Sequence, residues 1–145
     1  MPVSEVQNPD LARDYVRRAA VRVRALETLY DAESWPDVVR ESQEIVELAL
    51  KGLLLACGVE PPPPLVHDVS DVLLAERSRL PGPLAEAVPR LAEASRQLRR
   101  DRELAFYGAA DLTPSGFYSR ADADRARSAA RTVAALIEPV VLPRT

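Results

Sequence analysis

Apolar residues return every three or four positions along most of this chain, and no stretch alternates apolar with polar as a half-buried strand would. That regularity restricts the fold to helices packed on helices. Proline and glycine interrupt it at Pro61–Pro64, at Pro81-Gly82-Pro83 and across Gly108, Pro114 and Gly116. Five helical segments result, so the expected class is all-α. The 145 residues, 47 % of them hydrophobic, suffice for one domain whose core needs no metal or disulfide staple.

The first segment opens at Asn8-Pro9-Asp10, a cap followed by a proline tolerated in the first turn. Leu11, Tyr15, Ala19, Val23, Leu26 and Leu29 form its expected apolar face, with Arg13, Arg17, Arg18, Arg22 and Arg24 opposite. The second runs from Ser34 to Cys57 and stops at Gly58. It is apolar over Val38, Val39, Ile45, Val46, Ala49, Leu50, Leu53 and Leu54, a face wide enough to place it in the middle of a bundle. The four prolines that follow predict a stiff connector. The third is short, capped by Asp68, with Val69, Val72, Leu73 and Leu80 inward. The fourth carries the most regular seam: Leu84, Val88, Leu91, Ser95, Leu98, Arg102 and Ala105. Pro89 predicts a kink or a delayed start there. Residues 108–118 read as a loop. The fifth opens on Ser119-x-x-Asp122, a capping-box variant, and continues over Ala123, Ala126, Ala130, Val133, Ile137 and Val140.

Several chemistries are poorly supported. One cysteine, Cys57, allows no internal disulfide and agrees with a reducing compartment. The longest apolar stretch, Leu48 to Val59, contains Lys51 and falls short of the roughly 20 residues a bilayer requires, and the first residues lack a signal-peptide pattern. The expectation is therefore a cytoplasmic protein with no membrane partner. One histidine and one cysteine make no metal constellation, and no phosphate-binding glycine loop is present, so neither metal nor cofactor is expected.

The informative feature is where arginine falls. Of 19 basic residues only Lys51 is lysine, and the net charge is −3, so no general attraction to polyanions exists. Arg96, Arg99, Arg100 and Arg102 nevertheless crowd one end of the fourth segment, followed by Phe106 and Tyr107. Guanidinium beside aromatic rings suits phosphate and stacked bases; it equally describes a solvated helix face. Arg102 stands where the seam calls for leucine. Either it snorkels out at the helix end, or it anchors an anion. Glu47 and Lys51, at i and i+4, read as an ion pair orienting two helices, with a catalytic lysine as the alternative. His67 precedes a helix beside Asp68, and no partner for general-base work is visible.

Three stretches together resemble the prokaryotic HEPN domain family, over roughly Asp10 to Ile137. Glu47-Leu48-Ala49-Leu50-Lys51-Gly52-Leu53-Leu54 is similar to the family's Glu-x3-Lys-small-Leu-Leu segment. Pro63-Pro64-Leu65-Val66-His67-Asp68-Val69 resembles its proline-rich approach to a His-Asp helix start. Arg102-Glu103-Leu104-Ala105-Phe106-Tyr107-Gly108, then Tyr118-Ser119, resembles its Arg-x2-Ala-x-Tyr stretch before a Tyr-Ser capped last helix. The resemblance implies an up-and-down bundle of four to five helices, usually a homodimer, with a nucleotide- or RNA-related role, often beside a minimal nucleotidyltransferase in a toxin–antitoxin pair. It matches Arg102 and sets Tyr107 at the second motif position; with the neighbouring Arg99 and Arg100 these are the expected nucleotide or phosphate site, with Glu47, Lys51 and His67 as possible support. The family's ribonucleases use Arg-x4-6-His. Here the residue five positions after Arg102 is Tyr107, and a phenol, with its reference pKa of about 10, is a poor base at neutral pH. No catalytic residue is therefore assigned. The readings are a non-catalytic binding partner, a metal-independent endoribonuclease with a degenerate site, or a dimeric scaffold.

Overall fold

The computed structural model describes residues 9–61, 69–107 and 113–142, and the side chains of these except 100–107; every regular element among them is helical. Four long helices, α1 (Pro9–Asp31), α2 (Trp35–Ala56), α4 (Gly82–Tyr107) and α6 (Arg120–Val141), form the bundle. A short α3 (Val69–Ala75), a 3-10 turn (Arg77–Arg79) and a single-turn α5 (Pro114–Phe117) connect them. Asn8, the Pro62–Pro64 part of the proline run and Asp68 lie outside the described residues.

α1 and α2 form an antiparallel hairpin, joined where Glu33 adopts a left-handed backbone with φ 58°. Its N–H and that of Ser34 bond back to the Tyr30 and Leu29 carbonyls, satisfying groups that the helix end leaves open. Gly58, at φ 76°, closes α2 in the same way, with Val59 N–H on Leu54 O at 2.8 Å. α2 packs on α1, α4 and α6, as its wide apolar face requires. Ile45, Leu50, Leu53 and Leu54 are fully buried, each contributing about 1.5–3 kcal/mol.

The expected α1 face is buried at Ala19 and Leu26 and packs on the core at Val23 and Leu29, but it departs from expectation at its start. Ala12 and Val16 are inside while Leu11 is 36 % exposed. The reason is Gly52 of α2. A β-carbon there would stand 2.6 Å from Val16 Cγ2 and 3.1 Å from the Ala12 carbonyl oxygen. The absence of a β-carbon lets the α1 backbone come close at this point, with Ala12 and Val16 against it.

α3 folds back along α4, burying Val69 and Leu73. On α4 the predicted seam is buried from Leu84 through Val88, Leu91 and Ser95 to Leu98. α4 runs through Pro89 as one element that begins at Gly82, so the start is not delayed to the proline. Proline removes the N–H that would reach the Ala85 carbonyl one turn back. Arg77 Nε donates to that oxygen instead, at 2.7 Å. Residues 114–117, expected as loop, form a helical turn that Pro114 starts and Thr113 caps, its Oγ1 accepting from Gly116 N–H at 3.1 Å. α6 begins with the expected box: Ser119 N–H donates to Asp122 Oδ2 at 2.8 Å and Asp122 N–H to Ser119 Oγ at 3.3 Å. It continues past Pro139, burying Val141 and leaving Val140 40 % exposed.

Candidate functional site

The arginine-bearing half of α4 is held against α2 and α3 by ion pairs. Arg96 reaches α3, where its Nε donates to Ser70 Oγ at 3.1 Å and its Nη2 meets Asp71 Oδ1 at 2.9 Å. Two polar groups thus engage this guanidinium in fastening α3 to α4. Arg99 reaches α2 instead, with Nη1 3.3 Å from Glu47 Oε1. The other oxygen of the same carboxylate lies 3.5 Å from Lys51 Nζ, the i,i+4 pair expected from spacing. Glu47 therefore ties α2 to α4 and serves two cations at once.

Three expected site residues are thus together: Arg99, Glu47 and Lys51. Arg102 falls in the next to last turn of α4 and Tyr107 at its end, with Arg100 between Arg99 and Arg102. Arg102 follows Leu98 by four residues, in register with the strip that α4 buries. The side chains of Arg100, Arg102 and Tyr107, and all of His67, lie outside the described residues.

A second polar system joins α1 to α6, and nothing in the sequence pointed to it. Arg127 Nε donates to Glu27 Oε2 at 2.8 Å while its Nη2 bonds the other oxygen; Arg131 stands 3.6 Å away. The same Arg127 guanidinium lies 4.2 Å over the Tyr30 ring, and Tyr30 packs edge-on against Trp35, ring centres 5.3 Å apart. Arg120 covers Trp35 at 5.2 Å and meets Glu33 at 3.5 Å. The Arg127 hydrogen bond holds the Glu27 carboxyl below its ordinary range. Tyr30 donates to Asp124 at 2.5 Å, and this bond pushes the phenol up from its ordinary value. A guanidinium lies over each ring, Arg127 over Tyr30 and Arg120 over Trp35, and the bidentate Arg127–Glu27 pair makes this system a clasp between helices.

Between α4 and α6 lies an open groove of about 530 Å³, with Ala94, Leu98 and Ala126 among its lining residues and Phe117 at one side. Among the described residues its charged lining is Glu93, Asp122 and Arg125, and Arg125 is paired with Asp122. At the Arg99–Lys51 cluster two cations share the one Glu47 carboxylate.

Among the described residues no helix is long and apolar enough to cross a membrane, and no three metal-ligating side chains come together. The HEPN domain family model matches residues 12–140, most of the chain. Neither the curated proteins nor the solved structures contain a significant match.

Proposed function

Because the chain belongs to the HEPN domain family, whose members have nucleotide- or RNA-related roles, we propose that it is a non-catalytic nucleotide- or RNA-binding protein. In this reading it works as a homodimer beside a minimal nucleotidyltransferase in a toxin–antitoxin-type pair. Phosphate is held at the arginine-bearing end of α4, by Arg102 and Arg99 with Arg100 and Tyr107 beside them. The observation that carries the reading is the sharing of the Glu47 carboxylate between two cations, Lys51 and Arg99, beside the arginine-bearing part of α4. Phosphate oxygens accept charge-assisted hydrogen bonds from such groups, and partial removal from water strengthens them.

The test is to measure binding of labelled single-stranded RNA and of ATP, together with the melting temperature, for wild type and Arg102→Ala. Loss of about 1.5–3 kcal/mol of affinity with little change in melting temperature supports the reading. A large fall in melting temperature with no ligand affinity to lose refutes it. Light scattering at micromolar concentration that shows only monomer removes the dimer from it.

Family membership also supports a second reading, a metal-independent endoribonuclease. Tyr107 at the histidine position argues against it, since a neutral phenol does not take the 2′-hydroxyl proton efficiently. Efficient cleavage of single-stranded RNA in EDTA, abolished by Arg102→Ala, would favour this second reading.

A further inference from the structure

Lys51 and Arg99 approach Glu47 from two helices, one on each carboxylate oxygen, at 3.5 and 3.3 Å. Neither contact is tight, since unhindered charge-assisted N–H···O bonds close to about 2.7–2.9 Å. Two positive charges share one negative charge. The side chains of Glu47 and Lys51 are each 22 % exposed and that of Arg99 34 %, so the cluster is partly withdrawn from water. Partial desolvation strengthens the attraction of an arriving phosphate to the two cations. It strengthens the repulsion of that phosphate by Glu47 as well.

We infer that Glu47 is a built-in competitor for phosphate, an internal counter-ion that holds Lys51 and Arg99 in the empty protein and must share them when a ligand arrives. This rests on the proposed binding role and names the residue that sets its threshold. A lone phosphate exchanges one anion for another and gains little. A ligand with several consecutive phosphates takes the residual charge and adds contacts that Glu47 does not oppose. The shared chemistry is a run of phosphates, supplied either by a polynucleotide strand or by a nucleoside triphosphate.

Glu47→Gln tests this directly, because the amide keeps the length and an acceptor oxygen for Arg99 while removing the charge. The probes are a labelled ten-nucleotide single-stranded RNA and ATP. The substitution is expected to tighten binding about ten-fold, equivalent to about 1.4 kcal/mol. For RNA the slope of log K against log salt should steepen by about 0.7, the value for one further phosphate neutralised on a single strand. Lys51→Gln should weaken binding, and in the Glu47→Gln background it should cancel the gain. It also keeps the test decisive if Glu47→Gln folds poorly. A gain with either probe supports the inference, and the probe that shows it identifies the ligand source. A Glu47→Gln protein that binds as wild type does, or more weakly, overturns the inference and leaves the binding role standing. Absence of binding by wild type and variants alike overturns both. A purely structural ion pair predicts a lower melting temperature with no gain in affinity.

Discussion

Replacing Gly52 by alanine should destabilise this protein, although the same change in a helix usually does the opposite. In an ordinary helix interior alanine is favoured over glycine by about 1 kcal/mol, because glycine loses more backbone entropy on folding. Here the new methyl would stand 2.6 Å from Val16 Cγ2, 3.1 Å from the Ala12 carbonyl oxygen and 3.3 Å from Tyr15 Cβ. Real β-carbons essentially never come within 3.0 Å of such an atom. Val16 is buried and β-branched, so it cannot swing aside, and the oxygen belongs to helix backbone. Relief requires α1 to move off α2, an overpacking penalty of about 1–3 kcal/mol that falls in the upper half of that range here. After the propensity gain, the net loss is about 1–2 kcal/mol. Urea unfolding at fixed pH, with the slope unchanged between proteins, measures it. Val16→Ala in the Gly52→Ala background should cost less than Val16→Ala alone, with a coupling of about 1 kcal/mol or more, since the new methyl occupies the vacated space. A Gly52→Ala protein more stable than wild type by about 1 kcal/mol would refute the close approach.

Arg77→Ala should cost about 0.5–1.5 kcal/mol by stripping the Ala85 carbonyl of its donor, and much less in a Pro89→Ala background where the helix supplies its own N–H; equal costs in both backgrounds would disprove the compensation. Ser119→Ala should lower stability by about 1 kcal/mol in thermal melts through loss of the α6 cap. Glu27 titrates below its ordinary 4.5 because Arg127 hydrogen-bonds it, so the unfolded chain takes up this proton first on acidification. Its stabilisation is complete above that ordinary value and lost as pH falls through the depressed one. Glu27→Gln should therefore flatten the acid limb of a stability–pH curve, and an unchanged limb would show that Arg127 does not hold this carboxylate.

The helices were legible because they rest on local pattern. The seam of α4 was read residue by residue from Leu84 to Leu98, and the α6 cap from two residues three apart. The start of the α1 face is less legible. Periodicity weighs side chains by size and so favoured Leu11, whereas burial was decided by how closely Gly52 lets two backbones approach. The α1–α6 clasp was unreadable for a related reason. Arg127 and Glu27 are 100 residues apart, and their meeting depends on the register of two helices that no local signal sets. The role of Arg77 has no sequence signal either: an arginine that repairs a proline's missing hydrogen bond looks like any other surface arginine.

The Glu47-to-Leu54 segment shows how one block of sequence serves several neighbours. At about 100° per residue, Gly52 lies about 140° around the helix from Glu47. Glu47 can therefore hold Arg99 of α4 while Gly52 lies against α1. Lys51, one turn after Glu47, stays on the α4 side, and Leu53 and Leu54 enter the core between. Spacing shows that these residues belong together, but it cannot show that they answer to different partners. The consequence is separable phenotypes within six residues. Gly52→Ala acts through the α1 contact, so it should lower stability while RNA affinity per folded molecule stays at the wild-type value. Glu47→Gln acts through the charge balance at the α4 end, so it should change affinity and salt dependence more than melting temperature. If both substitutions shift stability and affinity in parallel, α1 and the α4 end move as one unit, and the assignment of separate roles to the two positions is wrong.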